Sequence, residues 1–211
     1  VPGMCCGVFA AYALWYLGYP DQARQRSKDA VNLASQLAHP FSMCMALTLG
    51  AEVHLLCRNP DTAQVYLEEA LTLAKAHGFT SWLELGAIFQ GWALAQTGQA
   101  EAGIQRMLYG LDANRAMVGE DSGLHCFAQL AEAYGKAGQP AQGLALLSKA
   151  LDVSDKNKLR HWHQWQSELY RLQGELHLLQ YGVIPLPQDL SARIELYFQQ
   201  AIAIARQQHA K

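Results

Sequence analysis

The chain has 211 residues, 51% of them apolar, and its 16 Lys and Arg stand against 18 Asp and Glu for a formal charge of −2. That balance, with no basic stripe, argues against nucleic acid as the main partner. Five cysteines (Cys5, Cys6, Cys44, Cys57 and Cys126), an odd number without a C-x-x-C pair, argue against a disulfide framework or a zinc centre and for buried, reduced thiols in a cytoplasmic protein.

Residues 1–19 carry no charge, but Pro2, Gly3, Gly7 and Gly18 interrupt them, and they match the later helices in phase. They are therefore expected to form a buried helix, over about Met4–Leu17, and no membrane span. A joint follows, Gly18-Tyr-Pro-Asp-Gln-Ala23, and then a second helix over Asp21–Ala38 that Pro40 is expected to close. The next pair is expected over Phe41–Cys57 and Asp61–His77, with Gly78 as a stop. Ser81 and Glu84 have capping-box spacing for a third pair, Ser81–Gln96 and Ala100–Val118. After Gly119, Asp121 or Ser122 can cap a fourth pair, Ser122–Ala137 and Pro140–Asp155. A fifth first helix is expected over about Arg160–Gln180. Its partner is delayed by an insertion at 181–189, YGVIPLPQD, and resumes at Leu190. That insertion is either a surface excursion or a docking element.

The joints begin at residues 18, 58, 98 and 138, each 40 after the last. Gly18, Gly98 and Gly138 suit a left-handed helix end, and Pro20, Pro60 and Pro140 suit a first helical turn, where proline's missing N–H has no intrahelical partner to lose. Small residues keep the same period: Ala11, Ala51, Gly91 and Ala131 before each joint, Ala30, Ala70, Gly110 and Ala150 after it. Gly174 and Ala201 take those places in the fifth pair. Helices cross closely only where side chains are small, so the pattern specifies an all-α array of about five antiparallel helix pairs in one domain spanning 1–211.

The small–joint–small pattern resembles the tetratricopeptide repeat (TPR), lengthened in its second helix. More narrowly, residues 13–23 (ALWYLGYPDQA), 91–95 (GWALA), 130–135 (LAEAYG) and 168–176 (ELYRLQGEL) resemble the C-terminal repeat regions of large bacterial proteins that join a nucleotide cyclase or kinase domain and an ATPase domain to a helical array. The resemblance implies a right-handed superhelical α-solenoid. It also implies a regulatory or scaffolding segment cut from a longer multidomain protein, with any catalytic domains outside these residues.

In such arrays the first helix of each pair lines a concave groove. The recurring groove position falls on Tyr12, Glu52, Trp92, Glu132 and Glu175. Four residues earlier come Val8, Thr48, Ile88, Ala128 and Arg171; three or four later come Trp15, Tyr16, Leu55, Leu56, Gln96, Lys136, Leu178 and Leu179. The expected surface is aromatic at one end and acidic toward the middle, suited to an extended or helical peptide. The aromatic residues also have a plain packing role open to them, and Glu168, Arg171 and Glu175 can be read as a surface ion-pair row. His161 and Trp165 share a helix face, for packing or for a cage.

No nucleophile elbow, phosphate loop, zinc-protease motif or Cys–His constellation occurs, and Glu52 and Glu132 belong to different repeats, so no catalytic, metal or cofactor site is expected. Three functions remain open: peptide or protein binding, with the parent's other domains among the candidate partners; sensing of a small molecule for a neighbouring ATPase; and self-association, for example as a homodimer.

Overall fold

A computed structural model describes residues 2–118, 124–157, 163–182 and 185–210. Every regular element among them is an α-helix: α1 (Pro2–Tyr16), α2 (Pro20–Gln36), α3 (Pro40–Leu56), α4 (Pro60–His77), α5 (Thr80–Gln96), α6 (Ala100–Val118), α7 (Leu124–Lys136), α8 (Pro140–Asn157), α9 (His163–Tyr181) and α10 (Gln188–Gln207). By internal contacts the chain divides into two compact units, Val1–Met117 and Val118–Lys211.

The turns set the geometry. Backbone φ is left-handed at Gly18, Ala38, Arg58, Gly78 and Gly98, a beat of 20 residues that is half the period of the joints, and again at Gly138, one full period on. One residue past the turn, an amide reaches back over the helix end: Tyr19 N–H donates to the Leu14 carbonyl, Asn59 to His54, Phe79 to Ala74, Gln99 to Leu94 and Gln139 to Tyr134, all at 2.8–2.9 Å. These bonds satisfy carbonyls that a helix end otherwise leaves open, and they turn the chain back on itself. Pro20, Pro40, Pro60 and Pro140 then open the next helix.

Two local expectations are corrected. Pro40 opens α3 and does not merely close α2, because its fixed φ serves a first turn as well as a stop. The imidazole of His39 caps that helix, its Nδ1 accepting from the Ser42 amide at 3.2 Å. Ser81 and Glu84 form no capping box: α5 begins one residue earlier, at Thr80, and Phe79 ahead of it makes no side-chain cap. The proposed caps Asp121 and Ser122 lie outside the described residues, as does His161.

The recurring small residues are crossing points. A Cβ on Gly91 would stand 2.5 Å from the Gly103 carbonyl oxygen and 2.6 Å from Met107 Cγ, so α5 and α6 approach too closely for any side chain there. Ala11 and Ala23 meet in the same way between α1 and α2, with Val53 of α3 against them. In the second unit Gly174 does for Phe198 what Gly91 does for Met107. Phe198 follows its glycine by 24 residues where Met107 follows by 16, so the insertion adds eight residues without disturbing the crossing. Part of the inserted segment is helical, Tyr181 ending α9 and Gln188 opening α10.

In the first unit Met4, Val8, Ala30, Val31, Ala34, Ala46, Leu47 and Ala70 make one core cluster from α1, α2, α3 and α4. Burying each large apolar side chain contributes about 2 kcal/mol. The cysteines are free thiols; Cys44 and Cys126 are buried and Cys5 and Cys57 half-buried, but Cys6 is exposed, against the expectation that all five would be inside. Burial pushes the Cys44 thiol up to about 11, which keeps it protonated at neutral pH. No helix among the described residues is long and apolar enough to cross a membrane.

Candidate functional site

In the first unit α1, α3 and α5 pack on one another as well as on their partners, whereas no comparable packing joins α2 to α4 among the described residues. The first helices therefore form the tighter side of that unit. The 40-residue step appears directly in its hydrogen bonds. Tyr12 Oη donates to Glu52 Oε2 at 2.5 Å, with the Leu49 carbonyl 3.2 Å away. Trp15 Nε1 donates to the Leu56 carbonyl and Gln96 Nε2 to the Leu55 carbonyl, both at 3.2 Å. The last carbonyls of α3 are thus satisfied from the helix on either side.

Tyr12, Trp15 and Tyr16 are all half-buried, and the Trp15 and Tyr16 rings meet edge to face with centroids 5.1 Å apart. Burial, and then the negative Glu52, raise the Tyr16 phenol far above its ordinary range, so it stays protonated. Tyr12, Trp15, Tyr16 and Glu52 thus meet at one corner of α1 and α3.

Several expected groove residues lie elsewhere. Glu52 and Trp92 are each only 3% exposed, and Val8, Thr48, Leu55, Ile88 and Ala128 are buried as well. Their register is as expected. Their surface is not, because neighbouring first helices close over those positions instead of leaving them open to a ligand. Sequence reading also passed over His54, wholly buried in α3 with its ring edge-on to Tyr66 and Asn59 Nδ2 at 3.4 Å from Nδ1. Burial, then the positive charges of Lys28 and Arg24, lower its pKa to about 4.

In the second unit α7 packs on α9, and the charged residues expected along these helices come into pairs. Lys136 Nζ lies 3.9 Å from Glu132 Oε1. Arg171 forks onto Glu168, Nε to Oε2 at 2.7 Å and Nη2 to Oε1 at 2.5 Å, and its remaining nitrogen bonds Glu175. The Glu168 bonds hold the guanidinium firmly charged despite its partial burial. The Glu175 side chain is 46% exposed and that of Glu168 24%. Leu178 and Leu179 are exposed, and Trp165, buried, lies 5.8 Å from the His125 ring. Among the described residues no group of three His, Cys, Asp or Glu is placed to hold a metal ion.

Two solved structures share this arrangement of helices. A single-substitution form of a Podosopora anserina putative kinesin light chain, described as nearly identical TPR-like repeats, aligns over 98% of this chain and 97% of its own at 15% identity with a TM-score of 0.57. The form without that substitution aligns over 99% and 97% at 14% identity with a TM-score of 0.55. The fold is TPR-like. At such identity the likeness speaks for the fold alone. No family model and no curated protein matches the chain. Within each unit first helices pack on one another, α1 on α3 and α3 on α5 in the first, α7 on α9 in the second.

Proposed function

We propose that this TPR-like chain is a non-enzymatic protein-interaction array of five helix pairs that binds an extended or helical peptide on its first helices. By the resemblance of residues 13–23 and 168–176, it serves as a cytoplasmic regulatory or scaffolding segment of a bacterial signalling protein with cyclase or ATPase domains. The observation that carries the binding reading is the half-buried corner of Tyr12, Trp15 and Tyr16 beside Glu52. Half-buried aromatic residues are efficient anchors for an apolar side chain, since little rotamer freedom is left to lose on binding. The second unit by itself carries a mixed-charge surface of Glu168, Arg171 and Glu175, suited to contacts that give specificity more than affinity.

Buried groove residues are poor probes of this reading. Truncating Trp92 would cost about 3–5 kcal/mol of fold stability and obscure any binding effect. The useful variants are Tyr16→Ala and Glu175→Lys, at half-buried positions. Peptides selected from a random displayed library against the chain should lose at least about tenfold affinity, roughly 1.4 kcal/mol, in Tyr16→Ala while the helical circular dichroism is retained. Glu175→Lys should shift the preferred charge of the selected peptides. Failure to select any peptide, together with a rise in melting temperature caused by a small metabolite, would replace this reading with that of a sensor.

A further inference from the structure

α2 and α4 both pack on α3, and Gly50 of α3 lies between them. A Cβ on Gly50 would stand 2.9 Å from Ser27 Oγ of α2 and 3.4 Å from two ring carbons of Tyr66 on α4, so those side chains flank the glycine and α3 forms the floor between them. α2 runs antiparallel to α3: Ser27 lies beside Gly50, and Cys57 Sγ reaches back to the Pro20 carbonyl at 3.6 Å. That register brings Arg24, one turn from Ser27, to the level of His54, one turn from Gly50. Lys28 shares the face of Arg24 at i, i+4.

His54 leaves a hydrogen bond unmade. It is 0% exposed, and its Nε2 is buried with no partner. Nδ1 has the Asn59 side-chain amide at 3.4 Å. With that amide donating, the neutral ring carries its proton on Nε2, directed away from Asn59, as a donor with nothing to receive it. Buried donors are normally satisfied, so an open one calls for an acceptor. The charges that act on this ring are the cations Lys28 and Arg24, and an acceptor that answers all three groups is negative. Ser27, 1% exposed, adds a hydroxyl whose bond to the Gly50 carbonyl is long, at 3.5 Å. Both cations have room to move. Lys28 is exposed, and Arg24 is engaged by Asp21 in an exposed pair that adds little stability.

We propose that the crevice between α2 and α4 binds a phosphate group, free or as a small monoester, with His54 Nε2–H and the Ser27 hydroxyl donating to its oxygens while Arg24 leaves Asp21 and, with Lys28, neutralises its charge. Two cations match the nearly two negative charges of phosphate at neutral pH, whereas a carboxylate would leave one of them unmatched. None of these residues belongs to the aromatic corner, so the site does not rest on the peptide reading above.

Thermal denaturation of the 211-residue chain at neutral pH tests it, in sodium phosphate or phosphoserine against sodium chloride of equal ionic strength. At roughly a hundredfold excess over Kd the melting temperature should rise by about 5 °C. A rise with phosphate alone confines the site to the free ion, and a rise with phosphoserine extends it to monoesters. Arg24→Gln combined with Lys28→Gln, at two positions that are not buried, should keep the helical signal and abolish the rise. If the double variant loses helical signal, Lys28→Glu takes its place. In an NMR titration phosphate should move the His54 ring signals and raise the pKa of that ring from about 4, because the anion favours its charged form. A melting temperature that neither anion raises beyond chloride would overturn the proposal. So would a rise that survives the variant, or one that leaves the His54 signals unmoved, since either places the anion elsewhere on the chain.

Discussion

Glu52 and Glu132 hold one place in the repeat, two steps apart, and the two units treat them differently. Glu52 is sealed under neighbouring first helices and accepts the Tyr12 hydroxyl. Glu132 pairs loosely with Lys136 at 3.9 Å, and further along the same unit Glu175 reaches Arg171 from a side chain that is 46% exposed. Glu52 is drawn into the packing, Glu175 stays near the surface in an ion pair, and Glu132, its side chain 12% exposed, lies between the two. Position in a repeat therefore sets the direction a side chain takes from its helix, and the neighbours decide whether that direction ends in protein or in water.

The sharpest way to break this contrast is acid. His54 is wholly buried and its folded-state pKa is about 4, below the unfolded value near 6.5, so between those values the unfolded chain binds more protons than the folded one. Its contribution to stability is complete above about pH 6.5 and disappears as the pH falls toward 4, a loss of about 3 kcal/mol. Urea denaturation at a series of pH values should show this slope in the wild type and a flatter one in His54→Gln. His177 of the second unit is shifted in the same direction by burial and then by Arg193, but it is half-exposed, and His177→Gln should leave the slope nearly intact. Equal slopes in the wild type and His54→Gln would show that the first unit is wetter than its packing suggests.

Carboxylate truncation sharpens the same contrast on a smaller scale. Glu52→Ala should cost about 2 kcal/mol, because it leaves the Tyr12 hydroxyl without its charged acceptor. Glu175→Ala should cost less than about 0.5 kcal/mol, and that little should vanish in high salt. Comparable losses from the two would contradict the difference in burial.

Smaller still are the turns. Ala38 and Arg58 hold a left-handed φ at the positions where Gly18, Gly78, Gly98 and Gly138 hold it without a Cβ. Ala38→Gly and Arg58→Gly should each raise stability by about 0.5–1 kcal/mol, relief of strain outweighing the extra freedom of the unfolded chain. Thermal denaturation reads this, and a fall in melting temperature would mean that the side chains at 38 and 58 do more than tolerate the turn.

Those two residues also explain what the sequence hid. The 40-residue joints were readable because glycine and proline mark them at residues 18–20, 98 and 138–140. The turns at 38 and 58 could be placed only from Pro40 and Pro60, because Ala38 and Arg58 carry no sign of the left-handed conformation they adopt. Pro40 could be read as an end or a beginning, and only the backbone decides. The crossing points were legible as small residues, down to Gly174 and Ala201 across an insertion. At the candidate site the register of Tyr12, Glu52 and Trp92 was legible, but the closure of α1 and α5 over α3 was not, since no local pattern records how tightly first helices stack.

The 20-residue beat has a consequence for ancestry. Loss of residues 40–79 would join His39, the residue ahead of α3, directly to Thr80, the first residue of α5, and would carry Val31 into the place that Leu71 occupies against Gly86. Turn, cap and knob would all stay in phase. A gene with this spacing can lengthen or shorten by 40 residues at the turns of the first unit without a frame of packing to repair.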